Sequence, residues 1–132
     1  MKEILLEVLK DFKNADFSRR NNIENYVLNE KIDNKRNSEF FLRKEDYDFF
    51  VDADAYFFID HDKKELSINF SAYDKFGCPI TSLSENYEYI GWADLQDFSD
   101  KDLEKLANDW RISIENWKER ALTKYKELYG EQ

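Results

Sequence analysis

The chain has 132 residues and carries 29 Asp and Glu against 20 Lys and Arg, which gives a formal net charge of −9. Its three glycines and one proline exclude collagen-like, Gly-rich and Pro-rich classes, and its 17% aromatic content is too high for a disordered acidic chain. The negative charge also disfavours nucleic acid and anionic membranes as direct partners, because both require a basic surface.

Three features of the sequence bear on location and domain count. The start of the chain is interrupted by Glu3, Glu7 and Asp11, unlike a secretory signal. The longest uncharged run, 76–84, has nine residues, whereas a membrane span needs about 18 apolar residues. The single cysteine, Cys78, cannot form an internal disulfide, which fits a reducing compartment. The sequence therefore predicts one domain over 1–132, located in the cytoplasm.

Two helices are expected before residue 38. An amphipathic stripe predicts a first helix over about 2–13, and its apolar members are Ile4, Leu5, Val8, Leu9 and Phe12. A second, weaker helix is expected between Ser18 and Ile32, with apolar positions at Ile23, Tyr26 and Val27. The polar residues 33–38 predict a loop.

The segment 46–62 has the most regular pattern in the chain. Its even positions are Asp46, Asp48, Phe50, Asp52, Asp54, Tyr56, Phe58, Asp60 and Asp62, whereas its odd positions are almost all apolar. Successive side chains of a strand point to opposite faces, so an extended chain would place six aspartates on one face. An ordinary strand is shorter than this segment, so a bend is expected near Asp52–Ala55. Strand is favoured throughout, although Tyr47, Phe50 and Val51 also fit helical spacing, so 46–51 could form a helix instead.

Residues 65–72 alternate in the same way and predict the second strand of an antiparallel hairpin. With a four-residue loop at 62–65, Ile59 should face Ile68 and Phe57 should face Phe70. Residues 73–84 predict a loop, and a further strand is expected from Tyr87 to Trp92.

A long helix is expected at the end of the chain. Ser99 is a suitable N-cap, with Asp100 and Asp102 in the first turn, and Gly130 is a suitable stop. Between them, apolar residues recur at three- and four-residue steps: Leu103, Leu106, Ala107, Trp110, Ile114, Trp117, Ala121, Tyr125 and Leu128. The predicted fold is α+β, an antiparallel sheet of three to five strands packed by two N-terminal helices and one long C-terminal helix.

The negative charge is concentrated in two blocks. Residues 45–62 contain seven acids and no Lys or Arg, and residues 85–104 contain seven acids and one Lys. Aromatic residues within a polar ring are typical of protein-binding surfaces. The predicted partner-binding residues are Asp46, Asp48, Phe50, Asp52, Asp54, Tyr56, Phe58, Asp60, Asp62, Glu85, Glu88, Trp92, Asp94 and Asp97. For Phe50, Tyr56 and Phe58, burial against a helix is an equally favoured alternative.

No catalytic or metal site is predicted. In Asp60-His61-Asp62 a strand would point His61 away from both aspartates, so a metal site is disfavoured. Paired aspartates on an open strand are more often solvated than catalytic, and nothing near Cys78 or His61 marks either as activated. The common nucleotide-binding, protease and hydrolase motifs are absent from the sequence. No cofactor is expected, and the protein is not expected to be an enzyme.

The function that fits these features is inhibition of a basic, nucleic-acid-handling protein such as a nuclease, by mimicry of nucleic acid. In size and charge the chain resembles bacterial toxin-immunity proteins and phage-encoded anti-defence proteins, including anti-CRISPR proteins, although it matches no family motif. One alternative is a soluble structural or regulatory interaction domain without an electrostatic target. A third hypothesis is a small metal-dependent hydrolase.

Overall fold

A computed structural model describes residues 1–17, 22–35 and 38–130, with Ser38 described by its backbone only. Four helices lie in these ranges: α1 (Lys2–Lys13), α2 (Asn22–Asp33), α3 (Trp92–Leu95) and α4 (Asp100–Tyr129). Four strands form one antiparallel sheet in the order β1-β2-β3-β4: β1 (Phe41–Arg43), β2 (Asp52–Asp60), β3 (Glu65–Ala72) and β4 (Glu85–Gly91). The predicted α+β class, with two N-terminal helices and a long C-terminal helix, is confirmed.

The two amphipathic helices form where the sequence predicts them. α1 buries Leu5, Val8, Leu9 and Phe12 and packs against α4. At the start of α4, the Ser99 side chain accepts a hydrogen bond from the Asp102 backbone, and the Asp102 carboxylate accepts one from the Ser99 backbone. This capping box satisfies two backbone donors that a helix start leaves without partners.

The second helix differs from its prediction. α2 begins at Asn22, and the part of the predicted helix at 18–21 lies outside the described residues. Ile23, Tyr26 and Val27, the apolar positions on which the prediction of this helix rests, are all exposed, and Ile32 is the buried residue of the helix. The last turns of α2 lie beside β2, where Ile32 is near Phe57.

The core lies between one face of the sheet and helices α1 and α4. β2 contributes Ala53, Ala55, Phe57 and Ile59, and β3 contributes Leu66, Ile68, Phe70 and Ala72. The Phe70 ring stacks on the Trp117 ring of α4 with centroids 4.4 Å apart. The Trp117 indole also donates a hydrogen bond of 2.9 Å to the Leu83 carbonyl, which fixes the loop before β4 on the same helix.

The hairpin pairs in a different register from the predicted one. Ile59 faces Leu66, Phe57 faces Ile68, and the connecting turn is 61–64. The loop length of four residues is confirmed, but the loop starts one residue earlier than expected, which shifts the pairing by two. Two residues is one full period of a strand, so every side chain keeps its predicted face.

The segment before β2 is not a strand. Residues 44–46 form one turn of 3-10 helix, 47–49 form a bend, and β2 runs without interruption from Asp52 to Asp60. Both the strand and the regular helix predicted for 46–51 are therefore wrong, as is the bend at 52–55. The break comes earlier because β1 pairs with only the first three residues of β2, so the chain must turn back between Arg43 and Asp52.

Candidate functional site

The side of the sheet that faces away from the core carries a row of acidic and aromatic residues. We call it the open sheet face, and on β2 and β3 it comprises Asp52, Asp54, Tyr56, Phe58, Asp60, Glu65, Ser67, Asn69 and Ser71. These residues share one side because each alternates with a buried residue of the same strand. Five of the fourteen predicted partner-binding residues belong to this face.

Two aromatic side chains form the most accessible part of the open sheet face. Phe58 of β2 faces Ser67 of β3, and Ser67 in turn faces Tyr89 of β4. Phe58 is 54% exposed and Tyr89 is 67% exposed, whereas Ser67 between them is only 6% exposed. The three residues therefore form a transverse row with a small side chain between two large rings.

Carboxylates adjoin this aromatic row at the turn end of the hairpin. Asp60 and Glu65 are directly opposite each other on β2 and β3. One oxygen of Asp60 accepts hydrogen bonds of 3.0 Å from the backbone nitrogens of Asp62 and Lys63. These backbone bonds, helped by the nearby Lys63 charge, lower the pKa of Asp60 below its usual range. Asp60 therefore holds the turn as well as contributing charge to the open sheet face.

The acidic residues at the two ends of 45–62 are far apart. Asp46 and Asp48 lie in the connection that precedes β2, whereas Asp62 lies in the turn that follows it. The nine-residue strand between them spans about 27 Å. Asp46, Asp48 and Asp62 therefore extend beyond the two ends of the open sheet face.

Phe50 does not share a face with the aspartates. Its ring contacts the rings of Tyr125 and Tyr129 on α4, at centroid distances of 6.3 and 5.7 Å. The predicted placement of Phe50 on the aspartate face is wrong, because residues 47–51 bend and do not continue strand β2. For this residue the alternative of packing against a helix is the one that the structure shows.

The second acidic block points in other directions. A β-bulge shifts the register between Ile68 and Asn69, whose partners are Glu88 and Asn86. As a result Glu85 and Glu88 both face α4, where Glu85 pairs with Arg120 at 2.9 Å and Glu88 accepts a hydrogen bond of 2.7 Å from Ser113. These two glutamates are thus engaged within the chain, on the side opposite to Phe58.

The remaining predicted residues surround α3. The Trp92 indole nitrogen donates to the carbonyl oxygens of Lys13 and Ala15, at 3.2 and 2.9 Å, and so closes the end of α1. Asp94 lies on α3 and Asp97 follows it, both exposed. The structure therefore divides the two acidic blocks among several surfaces rather than joining them into one.

The histidine and the cysteine that were considered for catalysis lie at opposite ends of β3. His61 lies in the turn before β3, where its Nε2 is 3.0 Å from the Asn29 side-chain oxygen, and Cys78 lies in the exposed loop beyond the other end of β3. In the part of the chain that the structure describes, no three His, Cys, Asp or Glu side chains are grouped as metal ligands.

Comparison with protein-family models, curated proteins and solved structures gives no match to this chain. None of the described helices is both long enough and apolar enough to cross a membrane.

The residues of β3 on the open sheet face, which include Glu65 and Ser67, were not singled out from the sequence, and neither was Tyr89 beside them on β4. The alternation in 65–72 places Glu65 and Ser67 on the face away from the core, so the sequence could have identified both residues. The sequence gives no comparable indication for Tyr89. The face of the sheet on which its side chain lies depends on the bulge at 86–88, and no glycine marks that bulge in the sequence.

Proposed function

We propose that the protein is a stoichiometric inhibitor that blocks a basic, nucleic-acid-handling protein with its open sheet face, without enzymatic activity. The observation that carries the proposal is that Asp52, Asp60 and Glu65 lie on the same side of a sheet as the exposed rings of Phe58 and Tyr89. Exposed aromatic anchors within a charged rim are characteristic of protein-binding surfaces. A partner that handles nucleic acid would supply the lysines and arginines that such a rim attracts.

Charge supports the same proposal at longer range. A chain with a formal charge of −9 attracts a basic partner before contact, and such steering raises association rates. Side chains on one strand face recur every 6.6–6.8 Å or so, and Asp60 lies about 27 Å along β2 from Asp52, so the two carboxylates can meet cations that are well separated on a partner. The single cysteine is consistent with action in the cytoplasm.

The test begins with capture of partners from the native host lysate on the immobilised protein. Bound proteins are eluted with a salt gradient and identified by mass spectrometry. We expect a basic nucleic-acid-binding protein to elute with salt, and the association rate of the purified pair to fall steeply as ionic strength rises. A complex whose association does not respond to salt would contradict the proposal.

A matched pair of variants then locates the surface. The open-face variant combines Asp52→Asn, Asp60→Asn and Glu65→Gln, and Asn at position 60 keeps an acceptor for the turn. The control combines Glu104→Gln, Asp109→Asn and Glu127→Gln, three exposed carboxylates of α4. Both variants change the net charge equally, so only the position differs. We expect about tenfold or greater loss of affinity for the open-face variant alone. An equal loss in both variants would place the binding surface elsewhere.

A second candidate, a structural or regulatory interaction domain, is supported by the internal engagement of Glu85, Glu88 and Trp92. On this hypothesis the acidity serves solubility. Such a domain would bind its partner with an affinity that does not depend on salt, and the same salt gradient therefore separates the two candidates.

A further inference from the structure

We propose that strand β4 is the edge to which the partner adds an extended basic segment, held by main-chain hydrogen bonds to residues 88–91. This inference rests on the proposed function and specifies how the partner is held beside the open sheet face. It depends on three observations, namely the direction of the backbone groups in β4, the difference between the two edges of the sheet, and the charge around β4.

The register of β3 and β4 determines which backbone groups of β4 bond within the sheet. Just beyond β4, Trp92 donates its backbone N–H to the Lys64 carbonyl at 2.8 Å. In an antiparallel ladder, such hydrogen-bonded positions alternate with positions whose N–H and C=O groups point away from the neighbouring strand. The backbone groups of Ile90 and Glu88, two and four residues before Trp92, therefore bond to β3.

The intervening positions of β4 are available to another chain. By the same alternation, the N–H and C=O groups of Tyr89 and the N–H group of Gly91 point away from β3. No backbone group elsewhere in the described residues pairs with these three groups. Because they recur at the spacing of a strand, the ligand that satisfies all of them is a second extended chain.

The two edges of the sheet differ in how they are protected. On one side β1 has only three residues, and the later part of β2 lies beside the end of α2. On the other side β4 has seven residues and contains neither lysine nor proline, which commonly prevent edge strands from pairing. The bulge at 86–88 leaves 88–91 as the regular part of this edge. β4 is therefore the edge at which a strand can be added.

Charge selects the occupant of this edge. β4 contains two glutamates and no Lys or Arg, and Glu65 lies opposite Gly91 on the open sheet face. Because Gly91 has no side chain, a lysine of the added strand can extend across it towards Glu65. A second copy of this chain would instead bring another formal charge of −9 to the same edge. A basic extended segment therefore suits the edge better than self-association.

Amide hydrogen exchange of the full chain, resolved by NMR, tests the pairing. In the free protein we expect the amides of Tyr89 and Gly91 to exchange about tenfold faster, or more, than that of Ile90 between them. The probe is a seven-residue peptide that alternates lysine with threonine, a residue that favours strands. At saturation it should slow both amides about tenfold or more. A peptide with glutamate in place of lysine should leave both rates unchanged.

Gly91 allows a matched pair of variants. Its φ of −79° is within the range of proline, so Gly91→Pro removes the outward N–H group and keeps the backbone conformation. Gly91→Ala adds a Cβ atom and keeps the N–H group. In both variants this Cβ lies 3.1 Å from the end of the Asp94 side chain, which can rotate away. We expect Gly91→Pro to bind the lysine peptide about three- to tenfold more weakly than Gly91→Ala, by calorimetry at low salt.

The outcomes separate the strand pairing from the function on which it rests. Slowing of the Tyr89 and Gly91 amides with rising protein concentration, without peptide, would assign the edge to a second copy and overturn the inference. Absence of peptide binding, or binding that slows neither amide, would also overturn it and leave an electrostatic inhibitor intact. The proposed function would fail separately, if the captured partner showed no dependence on salt or on the open-face carboxylates.

Discussion

At the scale of single residues, Trp92 shows that a side chain suited to an interface can be used inside the fold. Its indole nitrogen donates hydrogen bonds to the carbonyl oxygens of Lys13, at the end of α1, and of Ala15 just beyond it. The Gln96 side chain adds a second donor to the Lys13 carbonyl at 3.1 Å. No local sequence pattern could have revealed this role, because the partners are more than 75 residues away in the chain.

Trp92→Phe tests the role of the indole nitrogen. The variant keeps an aromatic ring but removes the donor, so the free energy of unfolding should fall by about 1–3 kcal/mol in urea denaturation. Tyr89→Phe, which alters an exposed aromatic residue, should change it by less than about 0.5 kcal/mol. Equal stability of Trp92→Phe and the unmodified chain would contradict a capping role.

Tyr125 gives a prediction about pH. Its hydroxyl lies 2.7 Å from the carbonyl oxygens of both Asp52 and Tyr73, and burial raises the pKa of Tyr125 to about 12. An unfolded tyrosine has a pKa of about 10, so the folded state holds the phenolic proton more tightly. This contribution to stability is complete below pH 10 or so and is lost as the pH rises towards about 12.

Tyr125→Phe lacks that proton. We therefore expect the difference in unfolding free energy between the unmodified chain and Tyr125→Phe to shrink as pH rises through this window, measured by urea denaturation at each pH. A difference that stays constant across the window would show that the phenol ionises alike in the folded and unfolded states.

At the scale of elements, the sequence determines the face on which each residue lies better than it determines pairing. Alternation in 52–60 and 65–72 identifies the buried face correctly, but it constrains the register only to a multiple of two residues. The turn sets the actual register, and the turn at 61–64 depends on the Asp60 side chain and on Lys64 with a φ of 55°. Neither feature gives a strong turn signal in the sequence, because Gly and Asn-Gly are absent there.

Element length explains why β1 was not predicted from the sequence and α4 was. β1 has three residues and is too short for an alternating pattern to be recognised. α4 has thirty residues, so its stripe and capping box made its boundaries predictable to the residue. Strong periodicity over many residues is what made α1 and α4 predictable.

Ion pairs link α2 and the turn after it to α1, and Ile32 is the residue that α2 buries. Lys31 pairs with Asp11 at 3.2 Å and Lys35 pairs with Glu7 at 3.0 Å, whereas Ile23 remains 74% exposed. Exposed ion pairs are weak and screened by salt, so α2 should open more readily than α4.

Amide hydrogen exchange tests this difference between the helices. We expect faster exchange in α2 than in the middle of α4, and a further increase in α2 alone when salt is raised. Equal protection of both helices would mean that packing of Ile32 is sufficient to hold α2 in place.

At the scale of the whole molecule, the open sheet face is a surface that costs stability. Asp60 and Glu65 repel each other in a chain that already carries a formal charge of −9. A cation at either position would replace this repulsion with attraction.

Glu65→Gln tests this repulsion. The substitution should raise the free energy of unfolding by about 0.2–1 kcal/mol at low salt, and the gain should disappear at high salt. Glu104→Gln removes the same charge from the exposed side of α4 and should produce a smaller gain. A loss of stability in Glu65→Gln would indicate that the carboxylate has a favourable partner instead.

The packing of α1 on α4 also has a consequence for synthesis of the protein. α1, which buries Leu5, Val8, Leu9 and Phe12, is translated before the strands, whereas α4, which packs against it, is translated after them. The sequentially paired strands can assemble in the nascent chain while α1 still presents its apolar side to water or to chaperones. The two halves of the helical layer can therefore meet only after α4 has been translated.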